Sequence, residues 1–152
     1  MGLPHAGMIG GILLQLDLFQ WDTIAISRGR ERLSVLDFDA ARSRFLKVLH
    51  VLPEHARALG AMRELRYWED ALAAPGAPDQ DEALSSLWEK IREFPFEDYE
   101  HHRTLRFSLL GRLLSLMEET DGLYIPPDLC RGFLHLQRGE YAAATFELGS
   151  LL

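Results

Sequence analysis

The densest set of groups able to do acid–base or metal chemistry is "EDYEHHRTLRF", residues 97–107, which holds Glu97, Asp98, Glu100, His101 and His102. On a helix Glu97 shares a face with His101, and Asp98 with His102, the spacing at which two ligands can reach one ion. The tandem histidines themselves point about 100° apart, so they cannot both join the same site. There is no HExxH spacing, and His5, His50, His55 and His135 are scattered. The stretch is therefore read as a solvated helix start, with its acids near the positive end of the helix dipole.

Other catalytic patterns fail on context. "GMIGG" and "PGAPD" lack the lysine and the strand-to-helix setting of a phosphate loop. No GxSxG occurs, and no serine falls into a Ser–His–acid arrangement. The single cysteine, Cys130, has no activating neighbour and reads as a small buried hydrophobe. No catalytic residue, metal ligand or cofactor is assigned, and the chain is read as a non-enzyme.

Two aromatic stretches fit recognition or packing. "LRYWEDAL" (65–72) sets Tyr67 and Trp68 beside Glu69 and Asp70. It could form an aromatic and acidic groove wall, but the preferred reading buries Trp68 and leaves the acids solvated. Trp21 and Trp88 are also read as packing residues. "FPFEDYEHH" (94–102) could anchor a partner, but its rings are preferred as the seal of a helix–helix corner.

With 152 residues the chain is long enough for a substantial core, and it is read as a single domain over 1–152. Its formal charge of -7 argues against a nucleic-acid or anionic-membrane partner, since both need clustered lysine and arginine. Local basic clusters remain in "SRGRERL" and "ARSRFLK". One cysteine permits no internal disulfide and suits a reducing, cytoplasmic setting. "MIGGILLQLDLF" (8–19) is apolar, but Gln15 and Asp17 break it and no basic segment precedes it. It is read as neither signal peptide nor membrane span, and residues 1–17 as a flexible end.

Helical periodicity dominates the rest. Helices are expected at about Leu18–Val35, Phe38–Leu52, Glu54–Ala73, Asp81–Phe94, Glu97–Thr120, Pro127–Gln137 and Glu140–Leu152, with loops at 74–80 and 121–127. Short turns between them imply antiparallel hairpins.

A spacing recurs within these helices. Ala41, Phe45, Val48 and Pro53 lie at offsets 0, 4, 7 and 12, and Ala83, Leu87, Lys90 and Pro95 repeat them. Ala144, Leu148 and Leu151 match the first three. Gly29 lies twelve residues before Ala41, and Gly132 twelve before Ala144. Gly139 and Leu36 occupy matching places five residues before those alanines, and Tyr141 and Phe38 follow two residues later. Small residues let antiparallel helices approach closely, and Gly29 is expected to face Ala41, as Gly132 faces Ala144. The proline stops the second helix.

This pattern resembles the tetratricopeptide repeat, a helix–turn–helix unit of about 34 residues. The match is best at the two ends and weaker in the middle, around Tyr67, Ala71, Ala83, Leu87 and Pro95. The period is not kept: Ala41 to Ala83 is 42 residues and Ala83 to Ala144 is 61. Arg28 and Arg32 stand where the family has large apolar residues. The expected fold is all-α, stacked antiparallel hairpins forming an irregular right-handed α-solenoid of about seven helices.

What the resemblance implies is a scaffold that binds a peptide or helix of another protein along the first helices of its hairpins. Those helices carry Arg28, Arg32, Arg63, Arg66 and Tyr67, and the arginine pairs suit an acidic peptide or a C-terminal carboxylate. The alternative is self-association into a homodimer or larger assembly. Leu148, Leu151 and Leu152 would then pair with a second copy.

Overall fold

A computed structural model of the chain describes residues 20–73, 80–119, 124–125 and 129–150. The expected flexible end, most of the two expected loops, and Leu151 and Leu152 fall outside these residues. The described fold is all-α apart from one two-residue ladder. Helix α1 covers 20–34. Then follow α2 (Phe38–Val51), α3 (Ala56–Ala73), α4 (Gln80–Glu93) and α5 (Glu100–Glu119). Strands β1 (Tyr124–Ile125) and β2 (Leu129–Cys130) pair antiparallel, and α6 (Arg131–Gln137) and α7 (Tyr141–Ser150) close the chain. No described helix is long and apolar enough to cross a membrane.

The chain divides into two compact units. Of the described residues, the first takes 20–33 and Asp37–Arg66, and the second takes Ser34–Leu36 and those from Tyr67 onward. The core of the first is Ile26 and Leu33 from α1, Ala41, Phe45 and Val48 from α2, and Ala58, Ala61, Met62 and Leu65 from α3. These recur at three- and four-residue steps, so each helix gives one stripe to the interior. Two polar pairs bind α1 to the α3 segment. Asp22 accepts from His55 at 2.7 Å, and Arg30 donates to Glu64 at 3.0 Å. His55 Nδ1 accepts the Ala58 N–H at the start of α3, so the neutral ring carries its proton on Nε2 and donates it to Asp22.

In the second unit α5 is the interior helix, burying His102, Leu105, Leu109, Leu110, Leu113, Leu114 and Met117. Trp68 is fully buried, with Phe94, Phe96 and Tyr67 around it, and both phenylalanines also meet the His102 ring. The 94–102 stretch is thus a packed corner. The helix α5 begins at Glu100 rather than Glu97: residues 97–99 form a turn, in which His102 Nδ1 accepts the Glu97 N–H. Cys130 is buried, but it lies in β2, at the N-cap of α6, rather than inside a helix that begins at about Pro127. Trp88 is buried, whereas Trp21, read as a packing residue, is 37% exposed.

The α1–α2 and α6–α7 hairpins share one local geometry. Among the described residues Leu36 and Gly139 are those with positive φ, at 63° and 77°. The next amide of each turn reaches back five residues, Asp37 to the Arg32 carbonyl and Glu140 to that of His135. That is the Schellman end, in which a left-handed residue satisfies carbonyls the helix leaves open. Close packing also matches, but not where expected. A Cβ on Gly29 would lie 2.7 Å from Cδ1 of Phe45, and one on Gly132 would lie 2.6 Å from Cγ of Leu148. The glycines make room for the large residue sixteen positions on, not for Ala41 and Ala144. A second helix antiparallel to the first sets its bulky side chain, one turn past the alanine, over the glycine.

Candidate functional site

The concave surface of the first unit is built from the outer stripe of α2. The i, i+3, i+4, i+7 rhythm that turns Ala41, Phe45 and Val48 inward turns Asp39, Arg42, Leu46, His50 and their neighbours outward. Trp21 stands across from them on α1. Together they line a groove of about 760 Å³. Trp21, Leu46 and Val51 supply its apolar surface, the last two 47% and 62% exposed. Arg42, Lys47 and His50 supply basic groups against one acid, Asp39, which accepts from Arg42 at 2.9 Å.

The arginines singled out in the sequence are all exposed, and none forms an ion pair with a described residue. Arg28 and Arg32 lie seven and eleven residues after Trp21, which places the three on one stripe of α1. They therefore lie along the same side of α1 as Trp21, beyond the residues that line the groove. Arg63 and Arg66 do not join them. Arg30 reaches α3, and at 100° per residue Arg28 and Arg32 each point about 160° away from it. The two arginine pairs thus lie on different sides. Tyr67, 41% exposed, belongs to the second unit and packs edge-on against Trp68.

Leu148 is 40% exposed but seated on Gly132, so its first role is to close the α6–α7 hairpin. Leu151 and Leu152 lie outside the described residues. Phe146 and Tyr141 of α7 are more exposed, at 75% and 69%. Among the described residues no three His, Cys, Asp or Glu side chains converge as a metal set would.

Sequence reasoning missed the part of α2 in the groove. Its signal was there: the basic cluster in 41–47, combined with the helical period, leaves Arg42 and Lys47 outward once Ala41 and Phe45 are inward.

The electrostatics of the neighbouring hairpin contacts are set by carboxylates held ionised. Asp22 lies below the usual carboxylate range, chiefly because His55 donates to it, with the Thr23 amide adding a second hydrogen bond. Glu140 is lowered by its bond to His135, with Arg138 adding charge at 2.9 Å.

Searches with protein-family models, curated proteins and solved structures find no match to this chain.

Proposed function

We propose that this chain is a protein-interaction module of tetratricopeptide-like hairpins that takes an acidic, amphipathic segment of a partner protein into the α1–α2 groove. The observation that carries this reading is the groove itself: an apolar surface with basic groups around it, in a chain of net charge -7. A helix or extended segment with leucines on one side and carboxylates beside them complements both features. The hairpin reading is supported by the α1–α3 ties, which join residues 33 and 34 positions apart. That is the length of one tetratricopeptide unit.

The test is fluorescence anisotropy with a labelled amphipathic peptide carrying leucine at helical spacing and glutamate elsewhere. Binding should weaken with salt and fall about tenfold in Arg28→Ala/Arg32→Ala, the loss of one to two charged contacts. Leu46→Glu should abolish it. If both variants bind the peptide as the wild type does, with helicity intact, the groove is not the site.

A second reading, self-association, is favoured by the solvent exposure of Phe146 and Tyr141 on α7, at 75% and 69%. Light scattering across a concentration range separates the two. A mass that rises with concentration and reverts to monomer in Phe146→Glu assigns the self-association role to α7. Leu148 is the wrong probe, because replacing it also removes the partner of Gly132.

A further inference from the structure

The second unit holds a pocket of about 580 Å³ of a different kind. Trp88 and Ile91 of α4, Phe94 and Phe96 of the corner, and Phe133 of α6 form its walls. Trp88 and Phe133 meet edge-to-face with centroids 5.9 Å apart. The polar groups are Arg92 of α4, Arg106 of α5 and Gln137 of α6. No acidic side chain is among the described lining residues. Arg106 Nη2 donates to Gln137 Oε1 at 2.8 Å. A neutral partner fixes the guanidinium without cancelling its charge. Trp88 is 5% exposed, and its Nε1–H is buried with no acceptor among the described residues. A buried donor left unpaired is rare and calls for an explanation.

We propose that this pocket binds a small organic anion in which a flat aromatic group carries a carboxylate. The rings supply stacking and edge contacts to the flat group. The guanidinium of Arg106 suits a carboxylate, whose two oxygens match its forked donors, and Arg92 adds positive charge to the lining. The volume falls in the range of small-molecule sites, and its surface is divided almost evenly between the aromatic walls and the polar groups. A lysine pair would attract anions without selecting a planar one; aromatic walls beside arginine do both.

The experiment is calorimetric titration of the full chain with 2-naphthoate and with its neutral counterpart 2-naphthalenemethanol. The naphthoate should bind, and the alcohol about tenfold or more weaker, the effect of one charge-assisted contact. Arg106→Gln should raise the naphthoate Kd by a similar factor, leave the alcohol unchanged, and recover partly in Arg106→Lys. Equal affinity for acid and alcohol overturns the proposal, as does an unchanged naphthoate Kd in Arg106→Gln with helicity retained. A peptide ending in phenylalanine is the third arm: if it binds and naphthoate does not, the pocket reads a protein terminus and the small-anion assignment fails. The wild-type acid–alcohol comparison stands even if a variant does not fold.

Discussion

The α1–α2 hairpin and the α6–α7 hairpin are built on one plan and end in different surroundings. Each has a left-handed residue after its first helix, a backbone bond reaching back five residues, and a glycine under a large side chain sixteen positions on. Yet Phe45 is fully buried and Leu148 is 40% exposed. In the first unit α3 covers the hairpin with Ala58, Ala61, Met62 and Leu65. Among the residues of α7 up to Gly149 only Ala144 is buried. Local spacing therefore sets how two helices meet, and the next helix sets how much of the pair is removed from water.

The glycines give the largest expected break in that parallel. Gly29→Ala drives a Cβ into the ring of Phe45, a rigid, fully buried group. Overpacking of this kind costs about 1–3 kcal/mol, offset by about 1 kcal/mol of helix propensity. With a rigid ring in the way, the net loss at Gly29 should lie at the upper end of that difference, between about 1 and 2 kcal/mol in a urea melt. Gly132→Ala meets a flexible leucine that can swing outward, though its backbone nitrogen stands 3.1 Å away, so the net loss should be under about 1 kcal/mol. Equal losses would mean that the exposed hairpin is as rigidly packed as the covered one.

The turns give a smaller and opposite pair. A non-glycine residue in the left-handed region costs about 1 kcal/mol or more. Gly139→Ala should lower stability by about that amount. Leu36→Gly should raise it by less, because a half-buried side chain is lost with the strain. A loss in both would show that Leu36 is held by packing more than it is strained by φ.

The histidine–carboxylate pairs give the smallest effect, visible only in acid. Asp22 and Glu140 are both lowered by a histidine bond. A carboxyl lowered on folding stabilises above its unfolded pKa, and that contribution is lost as pH falls through the folded value. The window is therefore below the ordinary carboxylate range, under about pH 4. Asp22→Asn and Glu140→Gln should each flatten the acid limb of a pH–stability curve there. If neither changes it, the pairs are geometry without linkage.

Much of the fold was legible because helix periodicity and turn residues are local signals. The seven helices, the matching of Leu36 with Gly139, the burial of Trp68 and the corner at 94–102 all follow from residues close in the chain. The rest was not legible because it depends on what lies across an interface. Gly29 was paired with Ala41 by residue size alone; the antiparallel crossing selects Phe45 instead. α5 was begun at Glu97 by its acids, but residues 97–99 form a turn tied to the ring of His102, five residues on. Arg28, Arg32, Arg63 and Arg66 were grouped by charge, and the Arg30–Glu64 contact separates them. Trp21 was placed inside by its type, and the outward stripe of α2 leaves it half open in a groove.

By itself the sequence determined the all-helical class, the places where the chain turns, and the stripe each helix gives to the core, since these rest on 3.6-residue periodicity and backbone sterics. Only the tertiary structure decided which large side chain lies on each glycine, which arginines share a surface, and where rings and guanidiniums close into a pocket. Those are contacts between residues far apart in the chain, and packing in three dimensions, not spacing along one helix, selects them.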